Sequence, residues 1–83
     1  MKILYFAWLR EKTGLSQEDV ALPVEVQTVA ELIDWLKQRS PRHALAFENA
    51  KLVRCAIDQE FSGVDARLVG AKEIAFFPPV TGG

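Results

Sequence analysis

Apolar positions in this chain follow two different periods. From Lys2 to Leu9 the run Lys-Ile-Leu-Tyr-Phe-Ala-Trp-Leu is rich in β-forming residues and apolar on both sides. Ile3, Tyr5 and Ala7 alternate with Leu4, Phe6 and Trp8. A strand with two apolar faces sits at the centre of a covered sheet or faces a partner. Arg10 to Thr13 then fits one helical turn, closed by Gly14. Val20-Ala21-Leu22 reads as a short second strand that Pro23 ends, paired with the first as an antiparallel hairpin with a longer loop.

The period changes at Thr28. Val29, Leu32, Ile33 and Leu36 fall at i, i+3, i+4 and i+7, an apolar helical stripe, with Glu31, Asp34, Lys37 and Gln38 on the other faces. Thr28-Val29-Ala30-Glu31 matches a capping box at its start. Pro41 predicts an end near Arg39-Ser40, because the residue before proline avoids the helical region. A further short helix is expected over Arg42 to Glu48, packed through Leu45 and Phe47. Leu52 to Ile57 reads as a strand turned at Asp58-Gln59-Glu60, Arg67 to Val69 as an extended piece before Gly70, and Glu73 to Phe77 as the last strand. The order is β-β-α-β-β. First and last strands side by side, with the helix across one face, make an α+β fold: a mixed β-sheet of the β-grasp type.

Eighty-three residues hold one core, so residues 1–83 form a single domain, with a flexible tail expected from about Val80. A net charge of −1 gives no electrostatic reason to bind nucleic acid. No apolar stretch is long enough to cross a membrane, and no signal-peptide pattern precedes the first strand; a cytoplasmic location is expected. Cys55 stands alone, which excludes an internal disulfide and an all-cysteine metal site. It alternates with Val53 and Ile57 and reads as a packed, inert thiol. His43, beside Pro41 and Arg42, reads as a solvated or capping histidine. Gly14, Gly63 and Gly70 are isolated, so no phosphate loop is present, and no spacing brings carboxylates together. No catalytic residue is expected in the folded body, and no bound metal or cofactor.

What remains is the end: Phe76-Phe77-Pro78-Pro79-Val80-Thr81-Gly82-Gly83. Two prolines stiffen the chain and forbid further sheet pairing, and two glycines make the thinnest possible tip. Such a tail suits insertion of its carboxylate into a narrow site on another protein. Phe6, Trp8, Phe61, Phe76 and Phe77 lie on strands or strand ends, and a domain this small cannot bury them all. Some are expected to form an exposed patch near the tail, which marks a protein interface.

This ending strongly resembles that of the small, sulfur-carrier subunit family of molybdopterin synthase, and the similarity runs along essentially the whole chain. Phe6-Ala7-x-x-Arg10-Glu11 resembles the family's first-strand segment, and Ala56-Ile57-Asp58-Gln59 its Ala-Val-Asn-Gln. Asp58 stands where Asn is usual, and Ala71-Lys72-Glu73 replaces the family's Gly-Asp-Glu turn, with Gly70 one place earlier. The resemblance implies the ubiquitin-like β-grasp and places the chemistry on Gly83. An adenylating enzyme consuming ATP would activate the Gly83 carboxylate, and a persulfide donor would supply the sulfur of a thiocarboxylate. The large synthase subunit would then accept the tail, Pro78, Pro79, Val80, Thr81 and Gly82 leading Gly83 in, for sulfur transfer to cyclic pyranopterin monophosphate. By the same pattern Phe6, Phe61 and Phe77 would make the apolar contact with that subunit and Arg10 a polar one, in a complex of two large and two small subunits. Other diglycine carriers, such as the thiazole-forming carrier of thiamine biosynthesis, share this chemistry, although Phe-Phe-Pro-Pro-Val is not expected before their glycines. A ubiquitin-type modifier and a non-carrier β-grasp interaction module are the remaining readings.

Overall fold

In the computed structural model, residues 1–79 are described. Five strands form one mixed sheet: β1 (Lys2–Tyr5), β2 (Gln17–Asp19), β3 (Arg54–Ile57), β4 (Glu60–Ser62) and β5 (Glu73–Phe77), in the order β2-β1-β5-β3-β4. The expected central pair is present: β1 and β5 run parallel, Ile3 beside Ile74 and Tyr5 beside Phe76. Their other neighbours are antiparallel. Helices α1 (Trp8–Thr13), α2 (Val29–Lys37) and α3 (Pro41–Ala46) and a 3-10 turn (Ala50–Leu52) complete the chain. The fold is the ubiquitin-like β-grasp.

The amphipathic stripe does what its period demands: Val29, Leu32, Ile33 and Leu36 are all buried. The capping box forms, with the Glu31 N–H donating to Thr28 Oγ1 at 3.2 Å and the Thr28 N–H to Glu31 Oε1 at 3.0 Å. The Gln27 N–H donates to the same carboxylate, which holds Glu31 below the usual glutamate range. Against α2 and α3 the inward strand positions Ile3, Tyr5, Cys55, Ile74 and Phe76 complete the core. Phe76 is its aromatic centre, edge-on to Phe47 at 5.1 Å and stacked on Tyr5 at 6.4 Å.

Several expected boundaries move. The first strand ends at Tyr5 rather than Leu9, because Ala7 takes φ 53° and starts α1 at Trp8. Positive φ is strained for a residue with a Cβ, at a cost of about 1–3 kcal/mol. The second strand is Gln17–Asp19, not Val20–Leu22. It is an edge strand held by backbone bonds, so it needs no apolar alternation, and charges on an edge discourage unwanted pairing. Val20 instead closes the bottom of the core, its N–H donating to the Met1 carbonyl at 2.9 Å. Arg67–Val69 joins no strand; Arg67 makes an isolated bridge to Thr28. The fourth strand is the unexpected Glu60–Ser62. Of the residues expected to pack α3, Phe47 is buried and Leu45 is exposed.

Two turns carry the sequence departures. Asp58 and Gln59 both have positive φ, as a two-residue hairpin turn with right-handed strand twist requires. Asp58 Oδ1 accepts the backbone N–H groups of Lys72 and Glu73, both at 3.0 Å, and so ties the β3–β4 turn to the start of β5. Gly14 ends α1 in the left-handed conformation at φ 78°. An added Cβ there would come within 2.9 Å of the Arg42 guanidinium, which donates to the Glu11 and Lys12 carbonyls and caps the same helix end.

Candidate functional site

Alternation along the strands gives the sheet a second face that no helix of the described residues covers. Leu4, Ala75, Ala56 and Phe61 are register partners across four adjacent strands. Phe61 is 84 % exposed and meets half-buried Phe77 edge-to-face, ring centroids 5.7 Å apart. Arg54 is the register partner of Phe77, and these residues line a pocket of about 320 Å³ with Ser62. Phe6 is half exposed where β1 ends, its N–H donating to the Phe76 carbonyl at 3.0 Å.

Of the predicted interface residues, the structure therefore brings Phe61 and Phe77 into contact and places Phe6 at the end of the strand beside β5. Arg10 is exposed within α1 and is not on the sheet. Trp8, expected on a strand, belongs to α1, and Phe76 belongs to the core. The reading from sequence missed Leu4, Ala56, Ala75 and Arg54. Their shared face emerges only from the β3–β5 register, since within Leu52–Ile57 every second residue is a candidate. Half-buried Pro78 and Pro79 continue directly from β5. Val80, Thr81, Gly82 and Gly83 lie outside the described residues.

A polar cluster occupies the other side of the domain. Glu18 Oε2 accepts the Tyr5 hydroxyl at 2.7 Å and lies 2.8 Å from His43 Nε2, while Arg39 donates to Oε1 at 3.4 Å. His43 is thus buried, not solvated, although its N–H is capped by Ser40 Oγ as expected of a residue near a helix start. Ser40 Oγ also lies 2.7 Å from His43 Nδ1. The Ser–His–Glu line resembles a nucleophile relay, but Ser40 is committed as the α3 cap and His43 is buried. The cluster instead ties edge strand β2 to α3. Burial alone would raise Glu18, but hydrogen bonds from His43 and Tyr5 and the nearby His43 and Arg39 charges outweigh it, so its carboxyl is held below the usual range. Burial first, then Glu18, pushes the Tyr5 phenol far above its ordinary value.

A depressed folded-state value means Glu18 stabilises the fold above its unfolded value of about 4.3 and loses that contribution as pH falls through the folded value. Glu18→Gln is expected to cost about 1–3 kcal/mol at neutral pH. Its melting temperature should fall less steeply than the parent's below about pH 5. Parallel melting curves across that range would show that the carboxylate is not the acid-sensitive tie.

Cys55 is buried with its thiol toward the Ser62 carbonyl at 3.3 Å, and burial raises its pKa, so it is a packed thiol as expected. Among the described residues no group of three or more His, Cys, Asp and Glu is placed to hold a metal, and no helix is long and apolar enough to cross a membrane.

A family model described as the ThiS family matches residues 3–83. The chain belongs to the ThiS family. It is 41 % identical over 83 residues to the molybdopterin synthase sulfur carrier subunit of Escherichia coli, covering 100 % of this chain and 99 % of that protein. The protein of the same name from Haemophilus influenzae is 36 % identical, with the same coverage. Among solved structures, SAMP1 from Haloferax volcanii superposes with a TM-score of 0.73 at 25 % identity, covering 100 % of this chain and 98 % of that one. A putative molybdopterin converting factor, subunit 1, from Pyrococcus furiosus gives 0.71 at 27 % identity and 95 % of each chain.

Proposed function

We propose that this ThiS-family chain is the sulfur-carrier subunit of a molybdopterin synthase, with its chemistry on the Gly83 carboxylate. The observation that carries this reading is how the described chain ends: it leaves central strand β5 through Pro78 and Pro79, beside a sheet face that exposes Phe61 against Phe77. The name shared by the full-length relatives favours molybdenum cofactor synthesis over a thiazole-forming pathway.

The chemistry follows from the terminus. The Gly83 carboxylate attacks the α-phosphorus of ATP on an adenylating partner, releasing pyrophosphate and leaving an acyl-adenylate. A persulfide sulfur displaces AMP, and a thiol cleaves the resulting S–S bond to leave a thiocarboxylate. Glycine offers no side chain to obstruct these attacks. The large subunit then takes the tail and presents the sulfur, a soft nucleophile, to cyclic pyranopterin monophosphate at high effective concentration. Val80 to Gly83 spans at most about 13 Å, so the folded body must dock close to that active site. The Leu4–Ala75–Ala56–Phe61 face with Phe6 and Phe77 supplies the apolar contact, and exposed Arg10 a polar one. The chain contributes no catalytic side chain; its part is to carry and deliver the sulfur.

Intact mass after incubation with an adenylating enzyme, ATP and a persulfide donor tests the carrier step. An oxygen-for-sulfur increase located at Gly83 is expected. An unchanged mass would remove every carrier reading, and loading without transfer to the pterin precursor on the large subunit would leave a carrier for another pathway.

A further inference from the structure

We infer that a groove between α1, α3 and the 3-10 turn is a second docking surface for the large subunit, separate from the open sheet face; this rests on the carrier reading above. The groove has a volume of about 350 Å³ and is lined by Trp8, Leu45 and Leu52, with Lys12 and Glu48 at its edge. Leu45 and Leu52 are 48 % and 45 % exposed. Neither is needed to seal the core, which Phe47 and Val53 close beside them.

Topology sets this groove at the tail's end of the molecule. Because β1 is parallel to β5, the turn after Tyr5 delivers Trp8 where β5 finishes; Phe6 is bonded to the Phe76 carbonyl there. Because β3 is antiparallel to β5, its first residue, Arg54, pairs with Phe77, and Leu52 stands just before it. Pro78 therefore leaves the sheet between the segments that carry Trp8 and Leu52. Val80 to Gly83 spans at most about 13 Å. A protein that encloses Gly83 must lay its surface over this pole, and the groove is the apolar feature it meets beyond the Phe6 and Phe77 edge of the sheet.

The groove's charges identify the class of occupant. Lys12 Nζ lies 5.2 Å from the Trp8 ring centroid and 4.0 Å from Glu48 Oε1. One cation and one anion leave the groove without net charge, which favours neither a phosphate nor an anionic surface. An apolar side-chain ridge of the large subunit, with a polar margin, is what fits. The strained Ala7 junction supports the same arrangement, since it aims consecutive aromatics to two surfaces: Phe6 to the sheet edge and Trp8 to the groove.

The test is calorimetric titration of the full chain with the purified large subunit, comparing Leu45→Asp and Leu52→Asp with Val69→Asp. Val69 is 88 % exposed near the start of β5, at the opposite pole. Each groove variant is expected to weaken binding at least tenfold, with Val69→Asp unchanged. Parent-like binding by both groove variants would overturn the groove while leaving the carrier reading intact. Failure of the parent chain itself to bind would overturn the carrier reading and the groove with it. Should an aspartate variant fail to fold, Leu45→Gln and Leu52→Gln, judged by the same two outcomes, decide the matter.

Discussion

Deletion of Gly83 is expected to abolish sulfur loading and transfer while leaving the melting temperature essentially that of the full chain. The two halves of this expectation have separate physical causes. The residues that hold the core run from Ile3 to Phe76, and the last strand ends at Phe77. A terminus removed beyond two prolines takes no described strand pairing or core packing with it. Chemistry, by contrast, needs the carboxylate at one point in space. Shortening the tail by one residue withdraws it by about 3.3 Å, and misplacement on the order of 1 Å already costs about a hundredfold in rate. The new terminus, Gly82, keeps the unhindered carbonyl, so reach alone is tested. Thermal melts and the intact-mass assay read the two halves separately. A melting temperature lowered as far as by a core truncation would make the tail structural, and normal loading would make Gly83 dispensable.

Neighbouring phenylalanines are expected to fail in opposite ways. Phe76→Ala should cost about 3–5 kcal/mol. A domain of this size has a total stability of about 5–10 kcal/mol, so the variant is expected to keep only a small part of it and to melt far below the parent. The reason is its position: Phe76 is fully buried and packed against Phe47 and Tyr5, so truncation opens a cavity at the aromatic centre of the core. Phe77→Ala should cost much less stability, because its ring is half-buried on the open face and its main partner, Phe61, is almost wholly exposed. It should instead weaken association with the large subunit at least tenfold, since aromatic anchors dominate such interfaces. Urea denaturation and calorimetric binding distinguish the two. Comparable destabilisation by both would place Phe77 in the core; unchanged binding by Phe77→Ala would remove the sheet face from the interface.

Adjacent positions with opposite duties show what alternation alone can and cannot reveal. The pattern Ile74, Phe76 against Ala75, Phe77 is enough to divide the strand into two faces. Which face the helices cover depends on how β5 enters the sheet. The same limit explains the two misread strands. Gln17–Asp19 and Glu60–Ser62 are edge strands of three residues, paired through backbone groups that carry no side-chain signature. Val20–Leu22 has the better composition for a strand, but Val20 is buried and Leu22 packs half-buried on the core without any strand pairing. His43 is misread in part for a related reason: its partner Glu18 lies 25 residues away on the misread strand.

Elements with local causes are legible in the amino-acid sequence. The 3.6 period and the Thr28–Glu31 box specify α2, Gly14 ends α1, Asp58 and Gln59 turn the chain after β3, and the proline–diglycine end is distinctive in composition. Everything that depends on register between distant segments is settled by the tertiary fold. It places β5 between β1 and β3, gathers Leu4, Ala75, Ala56 and Phe61 into one face, and sets Trp8, Leu45 and Leu52 at the pole from which the tail departs. Local signals act within a turn or a few residues of chain. Neighbours across a sheet are chosen by burial and backbone pairing summed over the whole domain.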